Sequence, residues 1–170
     1  MNKNLLGVVV VACVFRVGWA ADVQTLYSDL TEKACKITFH ESEGDYTRED
    51  CPGILGYSLQ KDTDDARDSL TIVNGKVTQP LDFFGHVTTS LNSLGDKVEW
   101  HVRNGQPIAL VVRLYFTDRE SQKKQQRLIV AKVQARGSCV TRIIDASKYP
   151  NANDLAAQAA DRATEDKCLW

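Results

Sequence analysis

The alternation of apolar and polar residues is clearest after residue 96. The segment 97–103 (KVEWHVR) alternates residue by residue, which places Trp100 on one face of a strand and Glu99 and His101 on the other. Asn104-Gly105 follows, a dipeptide typical of a tight hairpin turn because both residues accept a positive φ. The chain is therefore predicted to return as a second, antiparallel strand.

Further apolar runs extend this hairpin into a four-strand antiparallel meander. The returning strand is predicted over 108–116, apolar on both faces apart from Arg113 and the tip of Tyr115. The next two strands are predicted over 128–133 and 139–144. Short links between these segments favour antiparallel pairing in sequence order.

The end of the chain is predicted to be helical. Asn151 or Asn153 can cap the helix, and small or apolar residues then recur on one broad face. These residues are Leu155, Ala156, Ala159, Ala160 and Ala163. We therefore predict an α+β fold, a curved antiparallel β-sheet with a C-terminal helix packed on one face.

The first half of the chain has a weaker pattern. Leu26 and Leu30 lie four residues apart, so residues 26–33 favour a short helix. Short strands are predicted over 35–39, 54–59 and 69–73. A polar loop is expected over 40–53 and a charged connection over 61–68.

The first twenty residues are predicted to be a secretory signal peptide. Lys3 precedes an unbroken run of 11 apolar residues, 5–15, and Gly18-Trp19-Ala20 supplies small residues for a cleavage site. Such a run is too short to cross a bilayer, which needs about 20 residues. Cleavage after Ala20 would leave a single α+β domain, 21–170, in the periplasm or outside the cell. In the alternative, residues 10–13 resemble a lipobox, and Cys13 would carry a membrane lipid anchor.

Four cysteines remain outside this signal, and an exported domain is expected to pair them in two disulfides. Three pairings can be drawn for Cys35, Cys51, Cys139 and Cys168. We favour Cys35–Cys51 and Cys139–Cys168, because each bridge then joins segments adjacent in the sequence. The sequence has no CxxC and no Cys–His zinc spacing, so no metal or other cofactor is predicted.

Composition and charge narrow the function classes. With 43% hydrophobic and 25% charged residues, the chain has the composition of a globular protein. Its formal net charge of −1 becomes −3 once Lys3 and Arg16 leave with the signal. Such a charge does not indicate nucleic-acid binding, and it suits a basic protein partner.

No catalytic residue is predicted, because the motifs GxSxG and HExxH are absent from the sequence. Five residues are candidates for a binding groove, namely Arg67, Glu99, Trp100, His101 and Arg113. His101 is expected to be solvated on the polar face of its strand. Arg113 is expected on the Trp100 face, where a carboxylate from Asp65, Asp68 or Glu99 would offset its charge.

Motifs along most of the mature chain form an ordered series: Cys35, Cys51-Pro52-Gly53, Gly56-Tyr57, Asp65-Ala66-Arg67-Asp68-Ser69, Glu99-Trp100, Gly105-Gln106-Pro107, Arg113, Cys139, Ala152-Asn153, Ala160-Asp161 and Cys168. In this series the chain resembles an uncharacterised family of small exported, disulfide-bonded proteins of Gram-negative bacteria. His101 departs from that pattern, which commonly has Arg there. The resemblance implies export and transfers no catalytic residue. A looser similarity, in size, export, disulfides and β-rich build, is to periplasmic inhibitors of lysozymes and other envelope hydrolases.

These observations predict an exported, non-enzymatic binding or inhibitor protein that acts on another envelope protein, a class that includes hydrolases. Two alternatives stay open. One is a small envelope enzyme with an unrecognised site around Glu99, His101 and Arg113. The other is a carrier that holds a small molecule or lipid inside a curved sheet.

Overall fold

A computed structural model describes residues 22–170 of the chain, so the predicted signal peptide, its cleavage site and Cys13 lie outside the described residues. In this part of the chain the elements, in order, are β1 (Val23–Asp29), β2 (Lys36–His40), β3 (Thr47–Pro52), β4 (Tyr57–Asp64), β5 (Arg67–Asn74), β6 (Val77–Pro80), β7 (Asn92–Arg103), β8 (Gln106–Thr117), β9 (Lys124–Lys132), β10 (Cys139–Asp145) and α1 (Ala152–Asp161). No helix within 22–170 is long and apolar enough to span a membrane.

The predicted four-strand meander is confirmed. Strands β7, β8, β9 and β10 pair antiparallel in sequence order. Asn104 and Gly105 form the β7–β8 turn with φ of +53° and +73°. Both residue types tolerate that left-handed backbone, which is why this hairpin could be placed from sequence.

The sheet is larger than the meander predicted from the sequence. Within residues 22–170 it has ten strands, eight of them in the order β10-β9-β8-β7-β5-β4-β3-β2, while β1 pairs with β7 and β6 pairs with β5. Among the described strands, β5 and β7 pair parallel, through a single pair in which Arg67 is opposite Asn92. We call β1 and β7–β10 the meander arm, and β2–β6 the hairpin arm.

Asp68 and Asn92 form the joint between the two arms. The Asp68 carboxylate accepts the Leu94 backbone N–H at 2.9 Å and the Thr63 hydroxyl at 2.7 Å. The Asn92 side-chain oxygen in turn accepts the Asp68 backbone N–H at 3.1 Å. These bonds satisfy backbone donors at the place where the ladder between the arms is only one pair long.

The main core lies between the two arms. Leu59, Leu70 and Ile72 of the hairpin arm belong to one buried cluster with Trp100 and Leu110 of the meander arm. All five side chains are fully buried. The sheet therefore bends at the joint, so that the inner faces of its arms pack on each other.

Helix α1 covers the other face of the meander arm, as predicted. Its alanines pack on Val111 and Val130 of the sheet. The segment after the helix is tied back by the Cys139–Cys168 disulfide, and the second bridge is Cys35–Cys51, so both favoured pairings are confirmed. Asn151 occupies the N-cap position, although its side chain makes no capping hydrogen bond.

Three segments of the first half differ from the sequence predictions. Residues 26–33 do not form a helix, because Leu26 and Ser28 lie in β1 and pair with Trp100 and Val98 of β7. Strand β3 occupies part of the predicted loop 40–53, where ion pairs to β4 replace apolar alternation. The charged stretch 61–68 is mostly strand, and only Asp65-Ala66 forms the turn.

We predict that Ala66→Gly stabilises the protein. Asp65 and Ala66 have φ of +47° and +54°, a left-handed conformation that costs an alanine about 1–2 kcal/mol. Glycine removes this cost but loses more entropy on folding, so the net gain in the free energy of unfolding should be about 0.5–1 kcal/mol. Urea denaturation measures it.

Gly105→Ala is the matched control, because it places a Cβ at a φ of +73° in the equivalent turn of β7–β8. This substitution should destabilise the protein. A loss of stability in Ala66→Gly would contradict the assigned turn geometry.

Candidate functional site

His101 lies at the centre of a charged cluster between β7 and helix α1. Its ring Nδ1 is 2.7 Å from the Asp161 carboxylate, and its Nε2 is 2.9 Å from the Glu99 carboxylate. The His101 side chain is only 2% exposed, so the prediction of a solvated histidine is wrong. Tyr27 Oη donates to the other Glu99 oxygen at 3.1 Å, and Arg103 donates to the Asp161 backbone carbonyl at 2.6 Å.

The cluster favours a charged imidazolium. Burial opposes the charge, but the hydrogen bonds to Glu99 and Asp161 outweigh it and raise the pKa of His101 above its usual 6.5. The hydrogen bond from His101, aided by the one from Tyr27, holds the pKa of Glu99 below its usual 4.5 despite partial burial. Two carboxylates can only accept, so both ring nitrogens donate.

This arrangement makes His101 a brace. Both of its nitrogens are engaged, so neither is placed to take a proton from a bound molecule. The ring instead links the C-terminal end of α1 to the sheet, where a cation also interacts favourably with the helix dipole.

Arg113 lies on the face opposite to the one predicted. In the pairing of β7 with β8, Val111 is opposite Glu99 and Val112 is opposite Val98. Arg113 lies two residues after Val111, so its side chain is on the same face of the sheet as Glu99. The guanidinium donates to the side-chain oxygens of Gln126 at 2.8 Å and Asn153 at 2.6 Å. It thus joins β8 to β9 and to the start of α1, and no carboxylate of the described residues pairs with it.

Glu99 and Arg113 share a small cavity of about 150 Å³ with Tyr27, Lys97 and Asn153. Its apolar floor is Val111, Leu128 and Ala156. A space of this size holds a few water molecules or a small ion. The cavity is therefore too small for a substrate of ordinary size.

The side chains of Trp100 and Arg67 lie away from this cavity and from the His101 ring. Trp100 is fully buried between the arms, where its Nε1–H donates to Ser28 Oγ at 2.9 Å. Arg67 lies beside the β4–β5 turn, paired with Asp65 and 4.7 Å from the Phe84 ring centroid. Of the five residues, Glu99, His101 and Arg113 are near one another, and Trp100 and Arg67 are separate.

The hairpin of β2 and β3, with the loop between them, lies at one edge of the sheet and is here named the edge hairpin. All five residues of β2 are exposed, and this strand ends the sheet. Ile37 and Phe39 are 60% and 52% exposed. A bulge at Thr38 places Ile37 opposite Glu49 and Phe39 opposite Arg48, so the two apolar side chains lie on opposite faces of the hairpin.

The edge hairpin also has a strongly negative net charge. Between Cys35 and Cys51 there are five acidic and two basic residues, a net charge of −3, which equals that of all residues after Ala20. Glu49 pairs with Lys61, and Arg48 pairs with Asp62 at 2.7 Å. Among the described residues, no cation pairs with the three exposed acids of the tip, Glu41, Glu43 and Asp45.

The sequence contains a pattern that indicates the edge hairpin, although residues 40–53 were predicted only as a polar loop. The two cysteines favoured as a pair enclose a segment with five acidic and two basic residues, and Phe39 and Tyr46 flank the acids of its tip. In the structure these two rings lie 5.7 Å apart, and Tyr46 Oη donates to Asp62 at 2.6 Å.

Within residues 22–170, no three His, Cys, Asp or Glu side chains are placed to hold a metal ion. In comparisons with family models, with curated proteins and with solved structures, nothing matches this chain. The family resemblance noted in the sequence therefore stays a prediction.

We predict that the hydrogen bonds of His101 make the free energy of unfolding decrease at both high and low pH. The folded-state pKa of His101 is raised, so its contribution is complete below pH 6.5 and is lost as pH rises through the folded value. The pKa of Glu99 is lowered, so its contribution is complete above pH 4.5 and is lost as pH falls through the folded value. Urea unfolding across this range should show greatest stability between about pH 4.5 and 6.5.

His101→Gln should remove the alkaline decline and cost about 1–3 kcal/mol at pH 5.5, because it leaves a carboxylate without its charged donor. His40→Gln, at an exposed position of β2, is the control and should keep the decline. An unchanged pH profile in His101→Gln would contradict the brace.

Proposed function

We propose that this protein is an exported, non-enzymatic inhibitor that inserts the edge hairpin into the cleft of a basic envelope hydrolase. The observation that supports this most is the hairpin itself, which projects an apolar side chain on each face and, at its tip, three acids that pair with no cation of residues 22–170. The two disulfides fit an oxidising compartment such as the periplasm.

The geometry of Ile37 and Phe39 favours a concave partner. Because these side chains lie on opposite faces of one strand, a flat surface can bury only one of them. A cleft can cover both, and substrate sites of enzymes are concave. The bulge at Thr38 also interrupts the regular edge, which disfavours simple addition of a partner strand.

The charge of the tip favours a basic cleft. Glu41, Glu43 and Asp45 are exposed and carry three negative charges on a short loop. A cationic partner would be steered to this end of the protein and would pair with these groups on docking. A basic cleft is also the kind that attracts an anionic polymer substrate.

The edge hairpin is held in shape before binding. The Cys35–Cys51 disulfide closes its base, the Glu41 N–H donates to the Tyr46 carbonyl across the tip, and the ion pairs of Arg48 and Glu49 fix β3 to β4. A preformed hairpin loses little entropy on docking, which strengthens binding.

The other two functions receive no support from the site. An enzyme built on His101 would need a free ring nitrogen, and both nitrogens face carboxylates. A carrier would need space between the arms, and Trp100, Phe83 and Leu59 fill that region with fully buried side chains.

We predict that the protein inhibits a cationic lysozyme and that charge reversal of the tip abolishes inhibition. The triple variant Glu41→Lys, Glu43→Lys and Asp45→Lys should raise the inhibition constant by about a hundredfold, since three favourable charge pairs become repulsive. Clearing of a cell-wall suspension measures inhibition, and added salt should weaken it.

The control variant carries Asp22→Lys, Glu32→Lys and Glu165→Lys, three exposed acids outside the hairpin, so the net charge changes equally. Equal loss in both variants would show that only overall charge matters. Inhibition that survives reversal of the tip would exclude the hairpin, and absence of inhibition by the unmodified protein would exclude the proposed target class.

We also predict that opening the disulfide at the hairpin base weakens inhibition. The double variant Cys35→Ser and Cys51→Ser frees a loop with a sequence separation of 16, which should cost about 3 kcal/mol of stability and raise the inhibition constant about tenfold. Cys139→Ser with Cys168→Ser is the control, because it opens a loop of separation 29 away from the hairpin. A similar loss of inhibition in both variants would contradict a specific role of the hairpin.

A further inference from the structure

A second recognition feature lies where the β4–β5 turn, the start of β7 and the β8–β9 loop meet. Two adjoining cavities open there, with volumes of about 460 and 570 Å³, and Leu91 and Thr117 line both. We call them together the cationic groove. Its lining contains three cations, Arg67, Arg119 and Lys124, and one acid, Asp65.

The two arginines lie in the smaller cavity. Arg67 pairs with Asp65 and stacks over Phe84, and its Nε is a buried side-chain nitrogen without a hydrogen-bond partner in the described residues. Arg119 donates to the Thr89 carbonyl at 2.9 Å and forms no ion pair within 22–170. Ser90, Thr117 and Gln122 add neutral donors to the same cavity. This set of donors suits a carboxylate.

The larger cavity continues from the arginines with a different lining. Leu91 and Tyr115 present apolar surface and are 55% and 40% exposed. Ser93, Gln125 and Gln126 offer hydroxyl and amide groups beside them. An apolar surface with neighbouring amides fits a peptide, whereas an acyl chain would be better served by a continuous apolar channel.

We propose that the cationic groove binds the free C-terminus of a peptide whose last residue is apolar. The terminal carboxylate pairs with Arg67 and Arg119, and the last side chain packs on Leu91 and Tyr115. The net positive lining complements the carboxylate. This site is separate from the edge hairpin, so it is a second activity of the protein and does not depend on inhibition of a hydrolase.

The test uses the pentapeptide acetyl-Gly-Gly-Ser-Ala-Phe with a free carboxylate, titrated into the full domain by calorimetry and amide NMR. Binding should shift the amides of residues 65–67, 90–93 and 117–126. The same peptide with a C-terminal amide should bind at least about tenfold more weakly, because the charge that pairs with the arginines is gone. Arg119→Gln should weaken binding of the free-acid peptide by about tenfold, and Leu91→Ser should weaken it by about fivefold.

Matched controls lie at the opposite end of the sheet. Leu55 is 55% exposed, as Leu91 is, and Arg136 is an exposed arginine near it. Leu55→Ser and Arg136→Gln should leave peptide binding unchanged.

Three results would overturn the proposal. Equal binding of the acid and the amide would show that no carboxylate is recognised. Dodecanoate that binds more tightly than the peptide would assign the groove to acyl chains. Absence of binding at millimolar peptide would exclude peptide C-termini.

Discussion

The joint at Asp68 and Asn92 is the constraint on which the rest of the molecule depends. Strands β5 and β7 share only one ladder pair, so the ladder alone cannot fix how the two arms lie. Asp68 and Asn92 exchange hydrogen bonds with backbone groups of the opposite arm and set that register. The facing of the arms then decides that Trp100 is buried between them and that the outer face of β7 is left for helix α1.

The second half of the fold could be predicted because its signals are local. Asn104-Gly105 fixes a turn by its own conformational preferences, and the alternation of 97–103 fixes which residues face the core. Strand β3 lacked such a signal, since its pairing depends on Lys61 and Asp62, which follow in another strand. Leu26 and Leu30 fit both a helical and an extended spacing, and only the contact with Trp100 decides between them.

The candidate residues show the same limit. Glu99 and His101 could be placed on one face from alternation, but the partner that buries His101 is Asp161, which is 60 residues away. The prediction of the face on which Arg113 lies was wrong because the register of the β7–β8 hairpin includes irregularities on both sides of the paired segment 98–101. A net charge of −3 also averages over an acidic hairpin and a cationic groove, which only the three-dimensional arrangement separates.

The way the edge hairpin is fastened has a consequence for how the protein can diversify. Its outer strand contributes no side chain to either buried cluster, and a covalent bridge at its base holds it to the scaffold. The side chains of β2 can therefore be exchanged without loss of contacts in either buried cluster. In a protein built this way the sequence of the exposed strand can vary while the core stays the same. The same property allows other sequences to be grafted onto this strand.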